Sequence, residues 1–207
     1  MNNLLNLFLS RPLMTLEEYF DFQEKADTKY EFHNGKLYPT PGGSVRHGAI
    51  GANVIFSVKS ELRKIKSDCK TLSSDVKILI TKTNKILFPD VSVYCGDLDA
   101  GISGRTDLVA NPSILFEVLS PSTEAKDFGE KFDEYKSIKS LKQYVLIQQT
   151  HAFVEVRTLI NAEENLWKIE SFKNINDVLK LDSINIKLAL ADIYEDIEFD
   201  KTEEIIA

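Results

Sequence analysis

The chain has 207 residues, of which 43% are hydrophobic and 28% are charged, and its formal net charge is −7. This composition is typical of a globular protein with one well-filled core, and it excludes a disordered or collagen-like chain. An acidic chain is also a poor non-specific binder of nucleic acid, because DNA affinity comes largely from neutralised phosphates. We expect a single domain, with residues 1–13 as a lead-in, a core over about 14–195 and a tail over 196–207.

The N-terminal stretch is mildly apolar, but it is too short and too interrupted by polar residues to span a membrane. It also lacks the basic leader of a secretory signal peptide. The two cysteines, Cys69 and Cys95, show neither metal-ligand spacing nor a disulfide framework. This usage fits a reducing compartment, so we expect a cytoplasmic protein without membrane partners.

The first half of the chain carries clear local signals. Thr15 followed by Glu18 is a capping box, which predicts a helix to about residue 24. Two short runs around Asn34-Gly35 predict a β-hairpin over residues 29–38. Apolar residues then recur at helical spacing over residues 47–65 and predict the longest helix of this half.

The second half alternates strands with a helical crossover. We expect a hairpin of strands at 74–81 and 86–95, a mobile Gly-rich loop over 96–112 and a central strand at 113–119. A helix over 121–139 would lead to a strand at 143–148, parallel to the central one. Residues 153–159 and 166–172 read as another hairpin. This order predicts an α/β fold with a mixed central sheet and added hairpins at both ends.

Two acidic residues lie in the predicted strands. Asp90 follows Pro89 in the second strand of the 74–95 hairpin, and Glu117 interrupts the apolar run of the central strand. If these strands pair, the two carboxylates converge at one edge of the sheet and supply hard oxygen ligands of the kind that Mg²⁺ takes. The alternative is that Asp90 is a turn residue and Glu117 a buried acid paired with Arg or Lys.

An ordered set of motifs resembles a known family. The motifs are Tyr30-Glu31, Asn34-Gly35, His47, Ser74-Asp75-Val76, Pro89-Asp90, the run from Glu117 to Thr123, Asp127 with Lys131 and Tyr135, and Gln143-Tyr144. They are similar to the Uma-two family, whose members are described as restriction endonucleases of the PD-(D/E)XK nuclease superfamily. The resemblance extends over about residues 14–194, and Glu-Val-Leu-Ser-Pro-Ser-Thr after a Pro-Asp strand is its most specific part.

The resemblance implies an αβββαβ restriction-endonuclease-like core and a set of site residues. Asp90 and Glu117 would be catalytic metal-binding acids, with Glu31 as a third catalytic and metal-binding acid from the first hairpin. The superfamily lysine normally stands two residues after the second acid, where this chain has Leu119, so the lysine role passes to Lys131 on the following helix. The accessory candidates are His47, Asp75, Asp127 and Tyr135.

The function implied is that of an Mg²⁺-dependent endonuclease acting on DNA, with Mn²⁺ as a substitute ion, and dimers are usual for such nucleases. The alternative is a catalytically lapsed homodimer on the same fold that binds nucleic acid or serves as a scaffold. The acidic net charge, the absence of a lysine at Leu119 and the sparse basic residues favour this alternative. Glycoside hydrolysis by paired carboxylates is remote, because the only tryptophan, Trp167, lies outside the acid-bearing strands.

Overall fold

A computed structural model describes residues 13–40, 42–121 and 123–199. Nearly all of the predicted lead-in and most of the predicted tail lie outside these residues. The helices are α1 (Leu16–Gln23), α2 (Val45–Lys64), α3 (Glu124–Lys126), α4 (Phe132–Tyr135) and α5 (Leu190–Ile193), with a π-helical turn (Asp127–Lys131) between α3 and α4 and a 3-10 turn (Asp182–Ile184). The strands are β1 (Tyr30–His33), β2 (Lys36–Pro39), β3 (Lys70–Ser73), β4 (Lys77–Ile80), β5 (Lys85–Leu87), β6 (Val91–Tyr94), β7 (Leu108–Val109), β8 (Ile114–Leu119), β9 (Gln143–Gln148), β10 (Val154–Asn161), β11 (Leu166–Phe172), β12 (Val178–Leu181) and β13 (Ile186–Ala189).

The strands form two mixed sheets and a separate hairpin. The five-stranded sheet has the order β2-β1-β5-β4-β7 and the six-stranded sheet the order β11-β10-β9-β8-β6-β3, while β12 pairs with β13. Strand β4 is parallel to β7, and β8 is parallel to β9. The predicted α/β class with mixed sheet pairing is confirmed, but the strands are divided between two sheets instead of one central sheet.

The local signals produce the predicted elements. Thr15 and Glu18 form both hydrogen bonds of the capping box at the start of α1. Asn34 and Gly35 have φ values of 46° and 91°, the left-handed pair that a two-residue hairpin turn requires. Helix α2 buries one apolar stripe in the same hydrophobic cluster as one face of β6, β8 and β9. Strand β8 is buried along its whole length, as expected of a strand covered on both faces.

The predicted strand over residues 86–95 is two strands that belong to different sheets. Strand β5 ends at Leu87 and pairs with β4, whereas β6 begins at Val91 and pairs with β8 and β3. Pro89 lies at the break, where it has no N–H to donate to a sheet. Asp90 therefore lies where the chain crosses from one sheet to the other, and its predicted place inside a hairpin strand is wrong.

Other boundaries also differ from the predictions. Strand β4 begins only at Lys77 and is buried on both faces rather than on alternate residues, because Ile78 and Ile80 pack into one hydrophobic cluster and Leu79 packs into another. The Gly-rich segment over 96–112 contains β7, which is buried and pairs with β4. The helix expected to reach residue 139 ends at Tyr135 and contains the π-helical turn.

The expectation of no disulfide is wrong, since Cys69 and Cys95 are joined to each other. Lys70 pairs with Tyr94 across β3 and β6, so the two cysteines are the next cross-strand neighbours, with their Cα atoms 4.0 Å apart. Because strand β3 was not among the predicted elements, the sequence did not indicate that the two cysteines are close together. Cysteine usage therefore no longer supports a reducing compartment, and the cytoplasmic location stays a prediction. Among the described residues, no helix combines the length and apolar character needed to cross a bilayer.

The disulfide makes a stability prediction, because it closes a loop over a sequence separation of 26 residues. Reduction should lower the free energy of unfolding by roughly 2–4 kcal/mol, since the cross-link restricts the unfolded chain. Urea denaturation with and without a thiol reductant measures this difference. The double variant Cys69→Ser/Cys95→Ser is the control and should not respond to the reductant. Equal urea midpoints for the wild type in both conditions would contradict the disulfide.

Candidate active site

Asp90 and Glu117 lie opposite each other at the junction of β6 and β8. Val91 pairs with Phe116 in the antiparallel register, which places Asp90 across from Glu117. The Asp90 backbone N–H donates to the carbonyl of Phe116 at 3.1 Å, and the Val118 N–H donates to Asp90 Oδ2 at 2.7 Å. The two carboxylates therefore share one face at one end of the six-stranded sheet.

Glu117 is almost completely buried and is held by a tyrosine. The hydroxyl of Tyr135 on α4 donates to Glu117 Oε1 at 3.0 Å. Burial raises the pKa of Glu117 well above its usual value, against the opposing effect of Lys131, and Asp127 and Asp90 add to the increase. Tyr135 is thus a fully buried core residue and also a hydrogen-bond donor to the site.

Lys131 is the basic residue nearest to Glu117. Its Nζ lies 3.1 Å from Glu117 Oε1, 3.0 Å from Asp127 Oδ1 and 4.0 Å from Glu31 Oε1. Burial acts to lower the pKa of Lys131, but these three carboxylates outweigh it and raise the pKa above its ordinary value. Leu119, at the usual lysine position, is fully buried in the apolar core.

The π-helical turn brings Asp127 and Lys131 to the same site. Such turns are uncommon and occur frequently at functional sites. Asp127 is buried, and its backbone carbonyl accepts a hydrogen bond from the Tyr144 hydroxyl at 2.9 Å. Its Oδ1 is close to Lys131 Nζ, but among the described residues it has no hydrogen bond of acceptable geometry. The carboxylate of Asp127 is therefore held at the centre of the site by its ion pair with Lys131.

His47, in the first turn of α2, contacts Asp90 directly. Its Nε2 lies 2.8 Å from Asp90 Oδ1, and both side chains are about one-fifth exposed. The hydrogen bond to Asp90 raises the pKa of His47, in spite of the opposing effect of burial. His47 therefore orients one of the two central carboxylates and belongs to the site.

Glu31, on β1 of the first hairpin, joins the charge cluster through contacts with basic side chains. Its Oε2 lies 2.8 Å from Lys126 Nζ and 3.2 Å from His33 Nε2. Burial favours the neutral acid, but the hydrogen bond from His33, together with Lys131 and Lys126, lowers the pKa of Glu31 to about 2. The side chain is absent from the lining of the cavity described below. Glu31 thus pairs with basic side chains instead of facing the other acids.

Asp75 is separate from this group. Its carboxylate is 82% exposed and forms an ion pair with Lys29 at 2.9 Å, in the turn before β4. The hydrogen bond from Lys29 lowers the pKa of Asp75. The structure brings the other seven candidates together and leaves Asp75 in a surface ion pair.

Two contributors were not among the candidate residues. Lys126 contacts Glu31 from α3, although its charge alone suggests a solvated helix face. Gln149 follows β9 and accepts a hydrogen bond from the Ser44 hydroxyl at 2.7 Å beside the cavity. The sequence could have indicated Gln149 through its position directly after β9, because the carboxyl ends of the parallel strands β8 and β9 meet at one sheet edge.

A cavity of about 850 Å³ opens onto these groups. Its lining includes Asp90, Glu117, Asp127, Lys131 and His47. Further lining residues come from the glycine-rich segment before α2 and from the turn after β8; among them are Gly43, Ser44, Ser120 and Thr123. Solvent or a ligand can therefore reach a cluster of acids that is otherwise largely buried.

The donor atoms limit the kind of metal site that can form. No group of three or more His, Cys, Asp or Glu side chains in the described parts of the chain is arranged to hold a metal ion. The structure does not bring Glu31, Asp90 and Glu117 together as a three-carboxylate set, because Glu31 is held by Lys126 and His33, and its metal-binding role stays a prediction. The pair Asp90 and Glu117 fits Mg²⁺, which commonly takes one or two carboxylates and keeps its remaining ligands as water.

Comparisons with known proteins place this fold and site in context. A solved structure from Anabaena variabilis ATCC 29413, described as a putative nuclease belonging to DUF820, is similar with a TM-score of 0.69. The match covers 87% of this chain and 97% of that chain at 16% sequence identity, so the likeness concerns the fold.

Two relatives come from Synechocystis sp. (strain ATCC 27184 / PCC 6803 / Kazusa). "Uncharacterized protein slr1290" is 34% identical over 188 residues, which is 91% of this chain and 95% of the relative. "Uncharacterized protein sll1609" is 30% identical over 66% of this chain and 76% of the relative. A family model described as "Putative restriction endonuclease" matches residues 16–191. Because that match spans most of the chain, the protein belongs to the Uma2 family, the family that its sequence motifs resemble.

Proposed function

We propose that this protein hydrolyses phosphodiester bonds in DNA and that the reaction requires Mg²⁺, with Mn²⁺ as a substitute. Membership of the family and the nuclease-like fold support a nuclease function. The observation that carries the finer proposal is the position of Lys131 Nζ, 3.1 Å from Glu117, in the cavity that Glu117 shares with Asp90. Two carboxylates and a lysine at one solvent-accessible point can bind an ion and an anionic substrate together.

Asp90 and Glu117 would hold the ion, and the rest of the site would keep them in place. When bound, a divalent ion polarises a phosphodiester and lowers the pKa of its bound water. The hydroxyl of Tyr135 fixes one oxygen of Glu117, while His47 and the Val118 N–H fix the two oxygens of Asp90. These contacts limit the motion of both acids, which reduces the reorganisation that binding requires.

Lys131 would act on the substrate rather than on the ion. Its ammonium group has three donors, so it can contact a phosphate oxygen or the attacking water while it remains near Glu117. Its low exposure strengthens its attraction to negative charge that develops during hydrolysis. The carboxylate of Asp127 lies beside it, with Oδ1 3.0 Å from Nζ, and holds the ammonium group in place.

The alternative is a catalytically lapsed binding or scaffold protein on the same fold. One observation favours it: both oxygens of Asp90 already accept hydrogen bonds, from His47 and from the Val118 N–H. If an ion cannot displace these hydrogen bonds, the carboxylates serve only to stabilise the fold. Metal titration and cleavage assays separate the two functions.

Removing either central carboxylate should abolish cleavage. For Asp90→Asn and Glu117→Gln we expect Mg²⁺-dependent cleavage of plasmid DNA to fall by at least ~100-fold, because each change removes a charge from the reacting centre. Asp75→Asn is the matched control, since its carboxylate is exposed and pairs with Lys29 rather than with the acid cluster, and it should cut at the wild-type rate. Thermal melts verify that each variant is folded. Wild-type cleavage by folded Glu117→Gln would contradict the assignment.

Direct metal binding gives a second prediction that does not depend on activity. Calorimetric titration of the chelator-treated wild type with Mn²⁺ should show saturable binding, because Mn²⁺ accepts the same oxygen ligands as Mg²⁺. The heat should disappear in Glu117→Gln and persist in Asp75→Asn. A wild type that cuts no DNA and gives no carboxylate-dependent heat would support the lapsed protein instead.

Lys131 can be distinguished from the metal ligands by the same two assays. We expect Lys131→Gln to lose at least ~100-fold in DNA cleavage, through loss of transition-state stabilisation. It should still bind Mn²⁺, because the carboxylates remain and lose a competing positive charge. Lys136→Gln is the matched control from the same helical segment and should resemble the wild type.

The change at Lys131 also leaves buried acids unpaired, so stability is measured in parallel. If Lys131→Gln does not fold, Lys131→Arg retains the charge but alters its geometry, and it should bind Mn²⁺ while cutting more slowly. Loss of Mn²⁺ binding in a folded Lys131 variant, or undiminished cleavage, would be evidence against the assigned role.

A further inference from the structure

Strand β11 forms an exposed edge of the six-stranded sheet. Among the described residues it pairs with β10 on one side and with no strand on the other. It is seven residues long, and Leu166 and Ile169 on it are 48% and 57% exposed. A long edge with exposed apolar side chains is a template for pairing with another strand.

The other sheet edges differ from β11 in ways that discourage pairing. Strand β3 has four residues and begins with the exposed Lys70, and β2 has four residues and ends at Pro39. Strand β7 has only two residues. Short length, lysine and proline are common means by which proteins protect sheet edges. Strand β11 is longer than these three edges, and its own lysine, Lys168, is paired with Glu170 on the same strand.

The sequence of β11 is complementary to itself. A two-fold axis through Ile169 in an antiparallel pair places Ile169 opposite its own copy and Lys168 opposite Glu170 of the second copy. The same axis places Leu166 opposite Phe172. The two charged side chains are about half exposed and lie on one face, where Lys168 Nζ is 2.8 Å from Glu170 Oε1 within one chain. Each contact across the axis would therefore be either apolar or between opposite charges, apart from Trp167 with Ser171.

Neighbouring registers lack this complementarity. Paired residues of antiparallel strands share a face, so a perpendicular two-fold axis must pass through a residue rather than between two residues. An axis at Lys168 places two lysines opposite each other, and an axis at Glu170 does the same with two glutamates. Like charges directly opposite in a sheet are destabilising. The charge pattern therefore favours the axis at Ile169.

We propose that β11 pairs with β11 of a second copy of this chain, antiparallel and centred on Ile169. The pairing joins two six-stranded sheets into one continuous sheet and covers the exposed Ile169 and Leu166. Main-chain hydrogen bonds between the two copies of β11 stabilise the dimer, and the reciprocal contacts of Lys168 with Glu170 set the register. This surface is remote in sequence from the acids of the active site, and its test reads molecular mass rather than cleavage.

Charge reversal tests the surface. Sedimentation equilibrium over a concentration series should show a monomer–dimer equilibrium for the wild type. Lys168→Glu and Glu170→Lys should each weaken the dimer by roughly 10-fold or more, because two attractive cross-strand pairs become repulsive. The double variant Lys168→Glu/Glu170→Lys restores opposite charges and should dimerise like the wild type. Lys70→Glu, an equal reversal on the opposite edge of the same sheet, should have no effect.

Cysteine cross-linking tests the register. Ile169→Cys should form a covalent dimer on mild oxidation, because the two side chains meet at the axis. Ser171→Cys is the matched control and should not, since its two copies would be ~13 Å apart, four residues along the strand. A wild type that is monomeric at every concentration would overturn the proposal. So would a dimer that is insensitive to Lys168→Glu, or equal cross-linking by the two cysteine variants.

Discussion

One buried ammonium group links the parts of the molecule that form the site. Lys131 approaches Glu117 on the six-stranded sheet, Asp127 on its own helical turn and Glu31 on the five-stranded sheet. Breaking a buried ion pair by removing one partner typically costs ~3–5 kcal/mol, because a charge remains without compensation. The lysine therefore allows acidic side chains from both sheets to approach one another inside the protein. The same constraint keeps an ammonium group beside the two candidate metal ligands.

The break at Pro89 is the backbone counterpart of this constraint. The chain leaves one sheet after β5 and enters the other at β6, and Asp90 occupies the crossing. The backbone of Asp90 is anchored to Phe116, and its side chain is held by Val118 and His47. The acid is thus positioned by the segment that connects the two sheets. This segment both links β5 to β6 and places a carboxylate in the cavity.

The sequence predicts those features that depend on neighbours along the chain. Thr15 with Glu18, Asn34 with Gly35 and the parallel strands around the crossover helix all follow from local signals. Strand β3 and its link from Cys69 to Cys95 were missed, because pairing with β6 depends on residues far away in sequence. For the site, helical spacing predicts that Asp127 and Lys131 share a face. The contacts of Glu31 with Lys126 and His33 depend on how the elements pack in three dimensions, so residue spacing along the chain does not predict them.

The local charge of the site bears on DNA binding more directly than the net charge of −7. Four acidic side chains lie close to four basic ones; these residues are Glu31, Asp90, Glu117, Asp127, Lys126, Lys131, His33 and His47. The acidic and the basic side chains are therefore equal in number at the site. A divalent ion would leave the cluster positive, and a phosphodiester would then restore the balance. In the proposed reaction, substrate attraction would therefore depend on the ion rather than on a basic surface, which reconciles an acidic chain with the proposed nucleic-acid substrate.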